Sequence, residues 1–238
     1  MDFLAGEILV IDKPLGWTSF DVVNKVRYML KSIMGIKKIK VGHAGTLDPL
    51  ATGVVVLCTG KKTKSIEELM NHYKVYTATI RLGATTPSYD LEKEIDVTYP
   101  YEHITRDMVE EVLKSEFTGE IQQVPPLFSA ISIGGKRAYE LARKGQTEDK
   151  VRIEPRTVTI NEISLLDFKL PNLKLRISCS KGTYIRSIAR DLGEALHSGG
   201  HLTELRRIAS GEYSADNALT MQQVEALLRN EASQTMKE

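Results

Sequence analysis

Two cysteines, Cys58 and Cys179, occur in 238 residues, each inside an apolar, strand-like segment. That excludes a disulfide scaffold and any cysteine-rich zinc site, and it suits buried thiols in a reducing cytoplasm. The five histidines (His43, His72, His103, His197, His201) are scattered, without the HxxxH or HExxH spacing that sets two ligands on one helix face. No apolar run approaches the roughly 18 residues that a membrane helix needs. The opening MDFLAGEILVIDKP has no basic first segment and carries acids early, which argues against a signal peptide. Nucleotide fingerprints are missing too. There is no GxGxxG, and GKKTKS at 60–65 has Lys62 where a phosphate loop needs Ser or Thr. A basic helix start after a strand accounts for it.

What remains is an ordinary globular composition, 42% hydrophobic and 26% charged, with few aromatics. The length lies between one and two times the roughly 150 residues of a typical domain, and α/β folds of this size often stay one unit. The last ten residues, RNEASQTMKE, are polar enough to be disordered. A net charge of +1 alone predicts no polyanion partner, but its distribution is uneven. Residues 90–120 hold ten acids (Asp90, Glu92, Glu94, Asp96, Glu102, Asp107, Glu110, Glu111, Glu116, Glu120) against Lys93, Arg106 and Lys114. Bases gather in KSIMGIKKIK at 31–40, GKKTK at 60–64, GGKRAYELARKG at 134–145, and Arg206 with Arg207. Such a chain can turn a basic face to nucleic acid and its acidic stretch away, although solvated helix faces look the same in sequence.

Periodicity places the elements. GEILVIDKP is a strand ending at Pro14. WTSFDVVNKVRYMLKSIMG is a helix with Ser19 as N-cap, Asp21 in its first turn and one apolar stripe (Val22, Val23, Val26, Met29, Leu30, Ile33), stopped by Gly35. A loop then enters GVVVLCTG, whose unbroken apolar run marks a strand buried on both faces. KSIEELMNH is a short helix, KVYTATIRLG a strand and GATTPSYDLEKE a loop. ITRDMVEEVLKSEFTG is a helix, QQVPPLFSAISIGG a turn and short strand, and KRAYELARKG a basic helix. Two strands meet at LPN, and KGTYIRSIARDLGEALHSGG is a helix repeating Tyr184, Ile188, Leu192 and Leu196. HLTELRRIASGEYSA is a strand and MQQVEALLRN a last short helix. Strands and helices mix without strict βαβ alternation, so the fold class is α+β with a mixed, mostly antiparallel sheet.

Two stretches bear on chemistry. In GHAGTLDPLATGVVVL a single acid, Asp48, follows a glycine-rich turn. Gly42, Gly45 and Gly53 let the backbone bend and approach a ligand, and Pro49 biases Asp48 toward an extended backbone. A carboxylate held on a rigid loop among apolar residues can act as a nucleophile. Asp before Pro also starts turns. A metal role is weaker, because no second carboxylate is near in sequence. In CSKGTYIRSIARDLG a strand gives way to a helix whose N-terminus favours anions. There Arg186 can pair with a carboxylate or phosphate, and Tyr184 can stack on a base. A plain helix cap with one core tyrosine and one surface arginine explains these residues as well.

The ordered blocks DKPLGWTSFDVVNKVR, GHAGTLDPLATGVVVL, KVYTATIRLGATT, VPPLFSAISIGGKRAYELAR, CSKGTYIRSIARDLG and GGHLTELRRIASGEY resemble the TruB family, the tRNA pseudouridine-55 synthases, across roughly residues 5–213. The resemblance implies a pseudouridine-synthase fold with flanking helices and an RNA-binding cleft for the T arm of tRNA. It implies isomerisation of the T-loop uridine after base flipping, without metal or organic cofactor. Asp48 matches the family's catalytic aspartate, Tyr76 the tyrosine packed on the target base and Arg186 the arginine that pairs with the aspartate. Tyr184 and Leu205 match residues lining the uracil pocket, and His43 matches the histidine that helps hold flipped nucleotides. Lys13, Gly16 and Ser19, with Pro14, fall in the family's amino-terminal KPxGxTS block, and the resemblance implies that these three bind substrate. The same aspartate serves addition at C6 of the base or attack at C1′ of the ribose.

Bacterial members usually continue into an RNA-binding domain of the PUA type, whereas 25 residues follow Tyr213 here. The expected organisation is therefore a catalytic domain over 1–213 and a short C-terminal helix and tail over 214–238, with no complete PUA domain. The expected protein is a cytoplasmic monomer with tRNA as its partner. An RNA-binding module without turnover is the rival reading, and the two separate at Asp48.

Overall fold

The computed structural model describes residues 1–147 and 150–235. In chain order the elements are β1 (Ile8–Lys13), α1 (Ser19–Ile33), β2 (Val41–His43), β3 (Ala51–Thr59), α2 (Ile66–Met70), β4 (Lys74–Leu82), β5 (Ala84–Thr85) and β6 (Val97–Thr98). There follow α3 (Arg106–Glu116), β7 (Gly119–Gln123), β8 (Ser132–Ile133), β9 (Lys136–Arg137), α4 (Ala138–Arg143), β10 (Arg156–Lys169) and β11 (Asn172–Cys179). The chain closes with α5 (Ile185–Ala195), β12 (Gly200–Ser210), β13 (Tyr213–Ser214) and α6 (Met221–Thr235). It divides into two compact units, Met1–Tyr76 with Leu205–Glu238, and Thr77–Glu204. No described helix is long and apolar enough to cross a membrane.

In the first unit β3 is the central strand. β1 runs antiparallel along one edge, from Ile8 opposite Cys58 to Lys13 opposite Gly53. The other edge takes β12 in parallel at Ala51–Gly53 (Leu205 opposite Ala51) and β2 antiparallel at Leu57–Thr59. With neighbours on both sides and cover on both faces, β3 is buried at every position except Thr52, as its apolar run predicts. Helix α1 buries Val22, Val23, Val26, Met29 and Leu30, each worth roughly 1.5–3 kcal/mol when fully withdrawn from water. Its N-cap is Thr18, not Ser19. Thr18 Oγ1 accepts from Asp21 N at 3.0 Å, and Asp21 accepts from Thr18 N at 2.8 Å, closing a capping box. Ser19 is thereby released to point inward.

The second unit holds the strand order β12-β4-β11-β10-β7, with residues 200–204 of β12 and 77–82 of β4. β10 pairs antiparallel with both β11 and β7, and the β10–β11 turn contains a cis Leu170–Pro171 peptide. Among the described pairs with a stated direction, only β12–β3 is parallel, so the mixed, mostly antiparallel α+β reading holds. Helix α5 buries Ile188 and Leu192, while Tyr184 is its N-cap residue.

Parts of the chain differ from the sequence reading. β2 and β7 form where loops were expected, because each borrows its hydrogen bonds from a longer neighbour. The helix before β4 opens as a 3-10 turn at Gly60–Ser65, the basic helix start read from GKKTKS. The tail expected to be disordered is helical through Thr235, anchored by fully buried Val224 and Leu228; residues 236–238 lie outside the described residues.

Gly53 shows how tightly β3 meets β12. Its φ is +101°, and a Cβ there would collide with the backbone carbonyl oxygen of Arg207. Gly53→Ala should lower stability by about 3 kcal/mol or more in urea unfolding. A loss below about 0.5 kcal/mol, within the range of a neutral surface change, would show that the strands yield easily.

Candidate active site

Asp48 lies half-buried on the loop between β2 and β3 in the first unit. The loop turns at Gly45, whose φ of +121° lies in the region that favours glycine. It closes with Ala51 N donating to Asp48 O at 3.0 Å. Three groups then fix the residues on either side of the carboxylate. Ser19 Oγ accepts from Leu47 N at 2.8 Å and donates to Leu47 O at 3.3 Å. Gly16 N donates to Pro49 O at 2.9 Å. Lys13 Nζ donates to Trp17 O at 2.6 Å, Pro14 O at 3.0 Å and Pro49 O at 3.4 Å. Lys13, Gly16 and Ser19 therefore converge on Leu47 and Pro49, the two neighbours of Asp48.

The residue that sequence reasoning missed is Arg207. It appeared only as half of a basic pair, yet its side chain is 1% exposed. Nε donates to Val54 O at 2.6 Å, Nη2 to Gly45 O at 3.1 Å and Nη1 to Thr46 O at 3.3 Å. A buried charge without partners would be prohibitive, and the rigid guanidinium fork meets three carbonyls at once. Strand alternation offered a signal, since Arg207 stands two residues from Leu205 and shares its face. Neighbouring Arg206 instead faces Asp12, with bonds of 2.8 and 2.9 Å.

These cations shape the local electrostatics. Lys13 is 0% exposed. Burial, helped by Arg207, pulls its pKa down to about 8, while the Asp48 carboxylate pulls the other way. His43 ends β2, and burial and then Arg207 hold its pKa below the usual imidazole value. Its Nδ1 is buried without a hydrogen-bond partner. Leu205 is half-buried and pairs with Ala51, three residues after Asp48. Tyr76 is buried in β4, the last residue of its segment in this unit.

Arg186 and Tyr184 lie in the second unit, at the start of α5. Tyr184 is tied down by Gln123, which accepts from Tyr184 N at 2.8 Å and donates to Tyr184 O at 3.1 Å. The Tyr184 side chain packs on Leu127, Ile131, Ala138 and Val151. Arg186 is not a surface arginine; it is 5% exposed. Its Nη1 donates to Ser88 O at 3.3 Å and its Nε lies 3.7 Å from Asp90 Oδ2. Asp90, read in sequence as the first acid of a stretch turned away from RNA, is 7% exposed and belongs with Arg186. Composition could not separate it from the exposed acids that follow. Among the described residues no group of three or more His, Cys, Asp or Glu is placed to hold a metal ion.

Comparison with known proteins places this geometry. A family profile described as "TruB family pseudouridylate synthase (N terminal domain)" matches residues 31–185. A second, "tRNA pseudouridylate synthase B C-terminal domain", matches residues 186–238. The tRNA pseudouridine synthase B of Phocaeicola vulgatus is 60% identical over 222 residues, covering 93% of each chain. That of Parabacteroides distasonis is 58% identical over 228 residues, covering 96% of this chain and 95% of its own. Among solved structures, a chain of a Cbf5-Nop10-Gar1 complex aligns with a TM-score of 0.67 and 30% identity over 92% of this chain. The alignment spans 53% of that longer chain.

The buried lysine gives a pH signature. Between about pH 8 and 10 the folded chain has released the Lys13 proton, while unfolded lysine, with an ordinary pKa of about 10.4, keeps it. The unfolded state then binds more protons, so the contribution of Lys13 to stability rises with pH across that window. Urea unfolding should show wild type gaining on Lys13→Met from about pH 8 to 10; a difference that stays flat would refute the depressed lysine.

Proposed function

The chain belongs to the TruB family of tRNA pseudouridine synthases, and from that premise we propose that it isomerises the T-loop uridine, position 55, with Asp48 as nucleophile. The fold is the pseudouridine-synthase fold and the enzyme is an isomerase. The bond from C1′ to N1 breaks, the uracil turns and C1′ bonds to C5. C5 gives up a proton and N1 gains one, so no atom is lost or added overall. The proposed nucleophile is the Asp48 carboxylate, acting at C6 of the base or C1′ of the ribose. Tyr76 packs on the target base, Arg186 supplies a guanidinium, and Tyr184 and Leu205 line the uracil. His43 holds flipped nucleotides. Lys13, Gly16 and Ser19 serve by holding the Asp48 loop.

The observation that carries this reading is the loop. Its only carboxylate is half-buried, and the backbone on both sides is fixed by Ser19, Gly16, Lys13 and Arg207. A carboxylate that only capped a turn would not need such support. Catalysis requires a reacting group to be held close to its working geometry, where effective molarities become large.

Extruding a uridine from a folded T loop costs roughly a few kcal/mol. Stacking on Tyr76 returns about 1–3 kcal/mol. Phosphate contacts supply more, in a salt-dependent way. Two of the basic segments support this, because Gly60 N donates to Lys40 O at 2.9 Å. That bond sets exposed Lys40 against Gly60, the residue before exposed Lys61. The catalytic domain in this reading covers 1–213, and 214–238 is a C-terminal helix and tail. A cytoplasmic monomer acting on the T arm completes the proposal.

Incubation with an unmodified tRNA transcript, followed by mapping of pseudouridine, tests it. Wild type should place pseudouridine at position 55 and Asp48→Asn should form none; equal product from both would remove Asp48 from its role. A chelator should leave turnover unchanged while the RNA stays folded, and abolished turnover on intact RNA would contradict cofactor-free chemistry.

A further inference from the structure

The turn at residues 85–90, TTPSYD, carries the groups that Arg186 meets. Thr86 Oγ1 donates to Asp90 O at 2.7 Å and Ser88 Oγ to the same oxygen at 3.3 Å. Tyr89 N donates to Thr86 O at 3.0 Å. At its tip Tyr89 has φ +59°, a left-handed conformation that bulky residues rarely adopt. Asparagine or glycine would sit there without strain, so something must hold a tyrosine in place.

The holding groups are visible on two sides. Tyr89 O accepts from Leu202 N of β12 at 2.9 Å. The Arg190 guanidinium stands over the Tyr89 ring, 5.0 Å from its centroid, within cation–π range. Arg190 is itself anchored, with Nε donating to Asp191 Oδ1 at 2.6 Å and Nη2 to Val124 O at 3.1 Å. Arg186 and Arg190 lie four residues apart on α5, and i,i+4 residues share a helix face. One face of α5 therefore meets three successive residues of the turn. Arg190 covers Tyr89, while Arg186 meets Ser88 O and Asp90 on either side of it.

We propose that Tyr89 and Arg190 form a clamp that positions Arg186, by pinning the strained turn that presents the Ser88 carbonyl and the Asp90 carboxylate to its guanidinium. Neither residue touches the reacting uridine in this account; both are positioning residues. If the clamp opens, the turn relaxes toward negative φ and the two groups move off the Arg186 guanidinium. The inference rests on the role assigned to Arg186 under the proposed function.

Tyr89→Ala tests it, because alanine keeps the cost of φ +59° while losing the ring that Arg190 covers. Arg190→Met removes the guanidinium from the other side, and Tyr89→Phe keeps a ring under it. Single-turnover pseudouridine formation at saturating tRNA is measured alongside tRNA Kd, with the folded fraction fixed by circular dichroism. Tyr89→Ala and Arg190→Met should each slow the single-turnover step by roughly ten- to a hundred-fold, the scale of a small misplacement, with Kd within about three-fold of wild type. Tyr89→Phe keeps the ring and loses only the hydroxyl that Arg190 bonds, so it should be faster than Tyr89→Ala. A wild-type rate in either disrupted variant overturns the clamp. So does a loss confined to Kd, and so does unfolding of both variants, which would make the contact purely structural. An Asp48→Asn protein run in parallel separates the two claims. If it is inactive while Tyr89→Ala is fully active, only the clamp falls; if it is active, the functional reading falls first.

Discussion

A guanidinium with almost no access to water sets the shape of the Asp48 loop. Arg207 reaches from β12 under the loop and gives one hydrogen bond each to the carbonyls of Gly45, Thr46 and Val54. Those oxygens belong to the loop and to the strand it enters, so one side chain ties both together. Such a group cannot be placed by hydrophobic burial, which has no direction. It needs a backbone already bent toward it, and Gly45 and Gly53 at positive φ supply the bend. The arrangement is mutual, because the carbonyls would be costly to bury unpaired and so would the charge.

Cations in this chain divide by burial into two kinds of work. Lys13 and Arg207 are inside and satisfy backbone oxygens, and their effect on chemistry passes through the loop they hold. Lys38, Lys40, Lys61 and Lys62 are exposed, where screening by salt governs their attraction for phosphate. Arg186 is a third case, buried like Arg207 but facing Asp90 together with a carbonyl. Equal charges on the formal count thus serve unrelated purposes, which explains why a net charge near zero is compatible with an RNA substrate.

Much of this was readable beforehand. The apolar run of β3, the stripe of α1 and the order of the six blocks led to the fold class and named Asp48 as the candidate, because those signals are local or rest on a long ordered resemblance. The failures have a common cause in tertiary contacts. Ser19 looks like a helix cap in sequence, and Thr18 takes that role because its neighbour is needed at Leu47. Arg207 looks like surface charge until the strand beside it is known. Asp90 looks like one acid of ten until Arg186 is folded onto it. β2 and β7 carry weak propensity and exist through their partners.

The central claim is that the Arg207 fork, and not charge alone, holds the Asp48 loop in working order. Arg207→Lys tests it most directly, since lysine keeps the charge and gives up the rigid fork. The account predicts a folded protein that binds tRNA but forms pseudouridine roughly ten- to a hundred-fold more slowly in a single turnover. A wild-type rate from that variant would contradict it.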